Sequence, residues 1–293
     1  MSVDLYGGGV VKPYLGRVVL KKLAGAGPVA TGTQIVAPHA AARPRNPSNT
    51  VYLTGINSAG YPSGSVAGKR TPSCVITTVV KTSSFFSANL VNSLILAVDG
   101  GGNTDVWSIL LDDLYQPAIY DGAKCVLFRL QQSARGGAMN LTLGFNAMYG
   151  DSENPGTLFT PTVFSSGAGD PGQVTDVTKV SLAGEADLVQ GFTLELRRPQ
   201  SWVNYDDGGL FPAGISSGVL TGTLTLTQGV KFSATWGSSA AINIGQTGAG
   251  VSISAALSGI QDVREFQQDS RTVVRSFQLF NPSGAAPISV SAL

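Results

Sequence analysis

Two pairs of adjacent carboxylates, Asp112-Asp113 and Asp206-Asp207, are the groups most suggestive of acid–base chemistry, because glycoside cleavage works with two acids. Neighbouring residues on a strand face opposite ways, so neither pair makes a catalytic dyad by itself. Asp206-Asp207 precede Gly208-Gly209 and read as turn formers. Asp99 and Asp105 bracket a glycine-rich loop that could hold calcium, but the EF-hand order and its closing glutamate are missing. His39 is the one histidine, in a Pro/Ala-rich stretch with no nucleophile motif beside it. The segment 64–70 has three residues between Gly64 and Gly68 where a phosphate loop has four, and Arg70 where that loop has Ser or Thr. It reads as a turn. Cys74 and Cys125 lie inside apolar runs without metal-ligand spacing and read as buried free thiols. The chain is therefore read as a non-enzyme, with no catalytic residue, metal site or cofactor.

The elements that would position any such groups are strands. Over 192–197, Phe192, Leu194 and Leu196 alternate with Thr193, Glu195 and Arg197. Over 220–227, Leu220, Leu224 and Leu226 alternate with Thr221, Thr223, Thr225 and Thr227, with Gly222 the one gap on the apolar side. Successive side chains on a strand point to opposite faces, so each run has one apolar and one polar face. Threonine is β-branched, so the polar face also favours extended backbone. The segment 204–214 between them is rich in turn residues. Two long antiparallel strands are expected, packed on a core by one face and wet on the other.

Further strands are predicted at 16–23, 51–56, 73–81, 124–131, 140–148, 231–236, 251–263 and 272–280. The run 106–115 fits strand or helix. A helix is predicted over 82–98, capped by Ser83 or Ser84, with Phe86, Leu90 and Leu94 four apart. Residues 24–50 contain Pro28, Pro38, Pro44 and Pro47 and are expected to form a long loop or arm outside the core. The uncharged tail 282–293 is expected to order on a partner. The halves rhyme in pattern. Residues 16–22 resemble 191–198, and Pro/Gly turns at 60–64 and 211–214 lead into threonine-bearing strands at 73–81 and 218–228. The expected fold is mainly β: antiparallel β-sandwich or barrel domains with a flanking helix, two related domains per chain. The first spans 1–150 and carries the loop 24–50, 151–173 is a Pro/Gly linker, and 174–293 is the second.

Of the 293 residues 43% are hydrophobic and 13% charged, about half the ~25% charged share usual in soluble domains. A surface so weakly charged does little to repel copies of itself. The net charge of +1, with no basic cluster, gives no field to attract nucleic acid or an anionic membrane. No apolar run is long enough to span a bilayer, and the N-terminus lacks the features of a signal peptide. A protein made in a cytoplasm and soluble there at first is expected.

The residues 178–196 and 217–226, with the turn-rich stretch between them, resemble the major tail tube protein of long, non-contractile bacteriophage tails. The resemblance is clearest over 176–227 and weaker in the first half. It implies a β-sandwich or barrel with a flanking helix, in rings of six domains stacked into a hollow tube through which genome DNA leaves the capsid. With two such domains per chain, a homotrimer of pseudo-sixfold symmetry would make one ring. The implied partners are further copies of the chain, the tape measure and other tail proteins, and DNA in transient, non-specific passage, with no membrane. The implied location is the virion tail, assembled in the host cytoplasm. Thr193, Glu195, Thr221, Thr223, Thr225 and Thr227 would then line the lumen or a face between subunits. Two alternatives stay open: another ring or decoration protein of a phage (distal tail, tail terminator, head decoration), and a β-sandwich glycan hydrolase.

Overall fold

The computed structural model describes residues 17–37, 41–45, 51–53, 64–66, 68–80, 86–112, 118–133, 138–150, 177–182, 189–205, 211–229, 239–244, 251–256, 265–266, 272–280 and 286–292. In chain order they form β1 (Arg17–Ala24), β2 (Gln34–Ala37), β3 (Ala41–Arg45), β4 (Val51–Leu53), β5 (Gly64–Val66) and β6 (Ser73–Val79). A helix α1 (Ala88–Val91) runs into a π turn (Asn92–Leu96), followed by β7 (Val106–Asp112), β8 (Ala118–Gln132) and β9 (Met139–Asn146). Next come β10 (Val177–Leu182), β11 (Val189–Arg197), β12 (Gln200–Tyr205), β13 (Pro212–Ser217) and β14 (Thr221–Gly229). Last are β15 (Ser239–Ile244), β16 (Val251–Ala256), β17 (Glu265–Phe266), β18 (Thr272–Leu279) and β19 (Ile288–Ala292).

The protein is mainly β, and every strand pair among the described residues is antiparallel. One 11-stranded sheet dominates and branches at β8. That strand, 15 residues long, pairs β7 along 118–123, β9 along 124–132 and β11 along 127–132. Just before it changes partner it passes through Gly122, whose φ is 64°, and a Cβ there would stand 2.7 Å from the Met148 sulfur. A residue with a side chain meets both a left-handed backbone and a clash, so glycine makes the bend possible. One branch gives a run of eight strands, β17-β18-β14-β11-β8-β9-β6-β3, and the other runs through β7 and β1 to β2. A separate sheet has the order β10-β15-β16-β19, and β4–β5 and β12–β13 are two-stranded hairpins.

The alternation read from the sequence sets the core. Leu194, Leu196, Leu224 and Leu226 are fully buried and join Phe128, Leu130 and Ile76 in one apolar cluster. Val251, Ile253 and Ile288 of the smaller sheet belong to it, as do Leu90, Leu94 and Ile95 of the helical segment. Each such side chain contributes about 1.5–3 kcal/mol when buried. Strands from both halves contribute to this cluster and pair directly through β8 and β11. The linker segment itself lies outside the described residues.

Within the eight-strand run the order of chain succession repeats. In the first half β3, β6, β8 and β9 lie as β3-β6-β9-β8; in the second β11, β14, β17 and β18 lie as β11-β14-β18-β17. A hairpin, β4–β5 or β12–β13, is inserted between the first and second strand each time. Side chains match as well: the hydroxyls of Thr77 (β6) and Thr142 (β9) face each other at 3.4 Å, as those of Thr225 (β14) and Ser276 (β18) do at 2.8 Å. The strand equivalent to β11 is therefore β3. Matching 16–22 to 191–198 was a misreading, because alternation is common to any half-wet strand; β1 pairs β2 and β7 instead.

Four other expectations change. The stretch 24–50 is not an arm throughout, since it holds β2 and β3. Pro44 is tolerated because β3, among the described residues, pairs on one side only, with β6. The turn between β1 and β2 is pinned by a buried ion pair. Lys22 Nζ lies 2.7 Å from Asp105 Oδ2 and donates to the Gly27 carbonyl at 2.7 Å, while Gly27 N donates to Asp105 Oδ1 at 2.9 Å. The tail is a strand of the chain's own fold: β19 pairs β16 and buries Ile288. Residues 106–115, open between helix and strand, contribute β7. The helix keeps its stripe, with Phe86, Leu90 and Leu94 buried, but its cap is Ser87, whose Oγ accepts from Leu90 N at 3.2 Å. Ser83, Ser84 and the strand expected at 231–236 lie outside the described residues.

Candidate functional site

The six residues expected on the wet face do share one face. Register places Thr193 opposite Thr225 and Glu195 opposite Thr223, with Thr221 opposite Arg197 and Thr227 opposite Gly191. The face extends well past these two strands. One row crosses six of them: Thr77, Thr142, Arg129, Glu195, Thr223 and Gln278. The next contains Asn140, Gln131, Thr193, Thr225 and Ser276. Apart from Thr78 and Gln132, the described side chains that alternate with these two rows on the central strands are apolar core residues, so the rows lie on the wetter surface while the other is buried. The residues on β6, β8, β9 and β18 went unrecognised in the sequence. The signal was present on β8, where Phe128 and Leu130 alternate with Arg129 and Gln131.

Charge on this face is sparse: Arg129, Glu195 and Arg197 form one cluster, and register puts the exposed Arg43 of β3 on the same face. Glu195 accepts hydrogen bonds from Arg129 Nε at 2.6 Å and from Arg197 Nε. Partial burial alone would raise the Glu195 pKa, but the hydrogen bonds from Arg197 and Arg129 and their charges outweigh it, holding the carboxyl below its usual range. A carboxylate so held is a poor general base. Beside the hydroxyl and amide side chains the face carries the half-buried Val75, Val79, Leu127 and Val274. At the end where β14 begins and β18 finishes, the surface turns apolar: Val219 and Phe280 are 80% and 59% exposed. They border a groove of about 580 Å³ that also touches Arg197, Thr221 and Gln278.

Other polar groups are committed to the fold. Asp99 Oδ1 accepts from the backbone of Gly101 and Asn103, closing its own loop, and Asp105 is paired with Lys22. Arg198 is buried; its Nε donates to the Ile95 carbonyl in the π turn and its Nη1 to the Gly218 carbonyl. Lys124 Nζ donates to the Ile215 carbonyl at 2.6 Å, and Trp202 Nε1 to the Ala147 carbonyl at 2.9 Å, docking the β12–β13 hairpin on the first half. Both cysteines are buried free thiols, and burial pushes each pKa up to about 12. Among the described residues no group of three His, Cys, Asp or Glu side chains could hold a metal. His39, Asp113, Asp206 and Asp207 lie outside the described residues.

No protein-family model matches the chain, and a comparison with curated proteins finds no match.

Proposed function

We propose that this chain is a structural, non-catalytic protein that self-assembles into stacked rings around a channel, as the tail tube proteins it resembles do. The observation that supports this most is the breadth and chemistry of the polar face. Eight strands closed on themselves enclose little more than side chains, and that interior would have to be apolar. Here the apolar face is already covered and the other carries mostly threonine and amides, with one ion-paired cluster, Arg43 and a few half-buried valine and leucine side chains. Such a face fits a water-filled channel built by several copies. Among the described residues its ends, β17 and β3, are strand edges, and an open edge calls for a partner.

Dimensions favour three copies. Eight strands at a spacing of ~4.8 Å span about 38 Å. Three such arcs close a circle at least roughly 37 Å across the backbones, or about 27 Å after side chains. A duplex roughly 20 Å wide passes through that hole. The lining suits sliding, because each unpaired Lys or Arg adds a salt-dependent phosphate contact, and here Glu195 occupies two arginines, leaving few cations such as Arg43 to hold phosphate. The exposed Val219 and Phe280 at the strand ends suit contacts between rings. On this reading the protein belongs to the virion tail, with the tape measure and neighbouring tail proteins as partners.

Negative-stain electron microscopy and native mass spectrometry of the concentrated chain test the proposal. Rings or tubes with a central hole, and a mass of three chains per ring, are expected. Single rings that never stack would move the chain to a terminator or decoration role. Rings of six full chains would remove the trimer, and a persistent monomer would end the ring reading.

A further inference from the structure

The repeated strand order points to the contact that would close the ring. Inside the chain the two four-stranded units meet where β8, the outermost strand of the first, pairs with β11, the first strand of the second. The same two positions at the far ends of the run are held by β17 and β3. Among the described residues β17 pairs only β18, and β3 pairs only β6. We propose that β17 of one copy pairs antiparallel with the Ala41 end of β3 of a second copy, short of Pro44, repeating between molecules part of the β8–β11 junction found within one.

The repeat also fixes the register. Thr77 and Thr225 are equivalent, and opposite them lie Ala41 and Thr193, so Ala41 corresponds to Thr193. Thr142 and Ser276 are equivalent, so Asn140 corresponds to Val274 two residues earlier; opposite those lie Gln131 and Glu265. Within the chain Gln131 is opposite Thr193. Between copies Glu265 is therefore opposite Ala41. This pairing carries the polar face from one molecule to the next without reversing which side is wet, since a slip of one residue would flip it. Ala41 is exposed, as a strand awaiting a neighbour requires.

This inference rests on the ring reading, and its test separates the two. The full chain carrying Ala41→Cys and Glu265→Cys is assembled, oxidised mildly and run without reductant. Directly opposed residues on paired antiparallel strands lie within disulfide reach, and the native Cys74 and Cys125 are buried. A ladder of linked whole chains ending at a closed ring is expected, with the 41–265 link found by peptide mapping. The displaced pair Ala42→Cys with Glu265→Cys is expected to give none. In the wild-type chain, hydrogen exchange at the Ala41 and Ala42 amides is expected to slow on assembly, a readout that needs no substitution. Rings visible by microscopy without the 41–265 link and without that protection would overturn the edge assignment while leaving the ring reading intact. Equal linking by the displaced pair would overturn the register. Failure of the wild-type chain to form any ring would overturn both.

Discussion

Glu195 sits where β8 and β11 meet, and it is the acid in both of the face's ion pairs. Its folded pKa is depressed by two arginines despite partial burial. The linkage sign follows. Stability from a depressed carboxylate is complete above its unfolded pKa, near 4.3, and drains as pH falls through the lower folded value. The melting temperatures of wild type and Glu195→Gln should therefore differ most near neutrality and converge toward acid. A gap that widens on acidification would contradict the hydrogen-bonded arrangement. The buried Lys22–Asp105 pair is of another kind. It carries no surface function, and it holds a turn against β7 that the proline-rich composition of 24–50 disguised as loose chain.

At the scale of elements, β14 was the most legible strand because its threonines and leucines alternate with one interruption, Gly222. The structure gives that interruption a reason. A Cβ there would lie 2.8 Å from Leu196 Cδ2 and 3.0 Å from Leu279 Cδ1, so the flanking strands' leucines already fill the space. Gly222→Val should overpack the sheet and cost about 1–3 kcal/mol, read as a lower urea midpoint. Other elements were illegible for stated reasons. The edge strand β3 contains a proline, β15 is built from small residues, and β12–β13 lies in a stretch of Gly, Pro and Asp that composition reads as turn. Periodicity reports how a strand faces water, but not which strand lies beside it. The polar face was therefore found on β11 and β14 and missed on β8, β9, β6 and β18, where tertiary pairing alone unites the rows. The repeat was sensed from pattern and misaligned for the same reason.

For the whole molecule, charge is sparse enough to decide how assembly responds to its medium. Only 13% of residues are charged, and the polar face has one cluster of ion pairs. Raising salt to ~1 M shortens the screening length to about 3 Å, yet backbone pairing and apolar contacts would be nearly unaffected. Particles formed by this chain should keep their mass from low to high salt in light scattering. Dissolution by salt alone would mean that unrecognised charge pairs hold the copies together.

Because β8 and β11 belong to one polypeptide, their contact has a mechanical consequence. Partners on the same chain meet at a high effective concentration and rejoin after any transient parting. A closed assembly of such chains has half as many places to rupture under load as it has four-stranded segments. In the proposed ring, fusing two segments in one molecule would thus remove every second weak link from the wall.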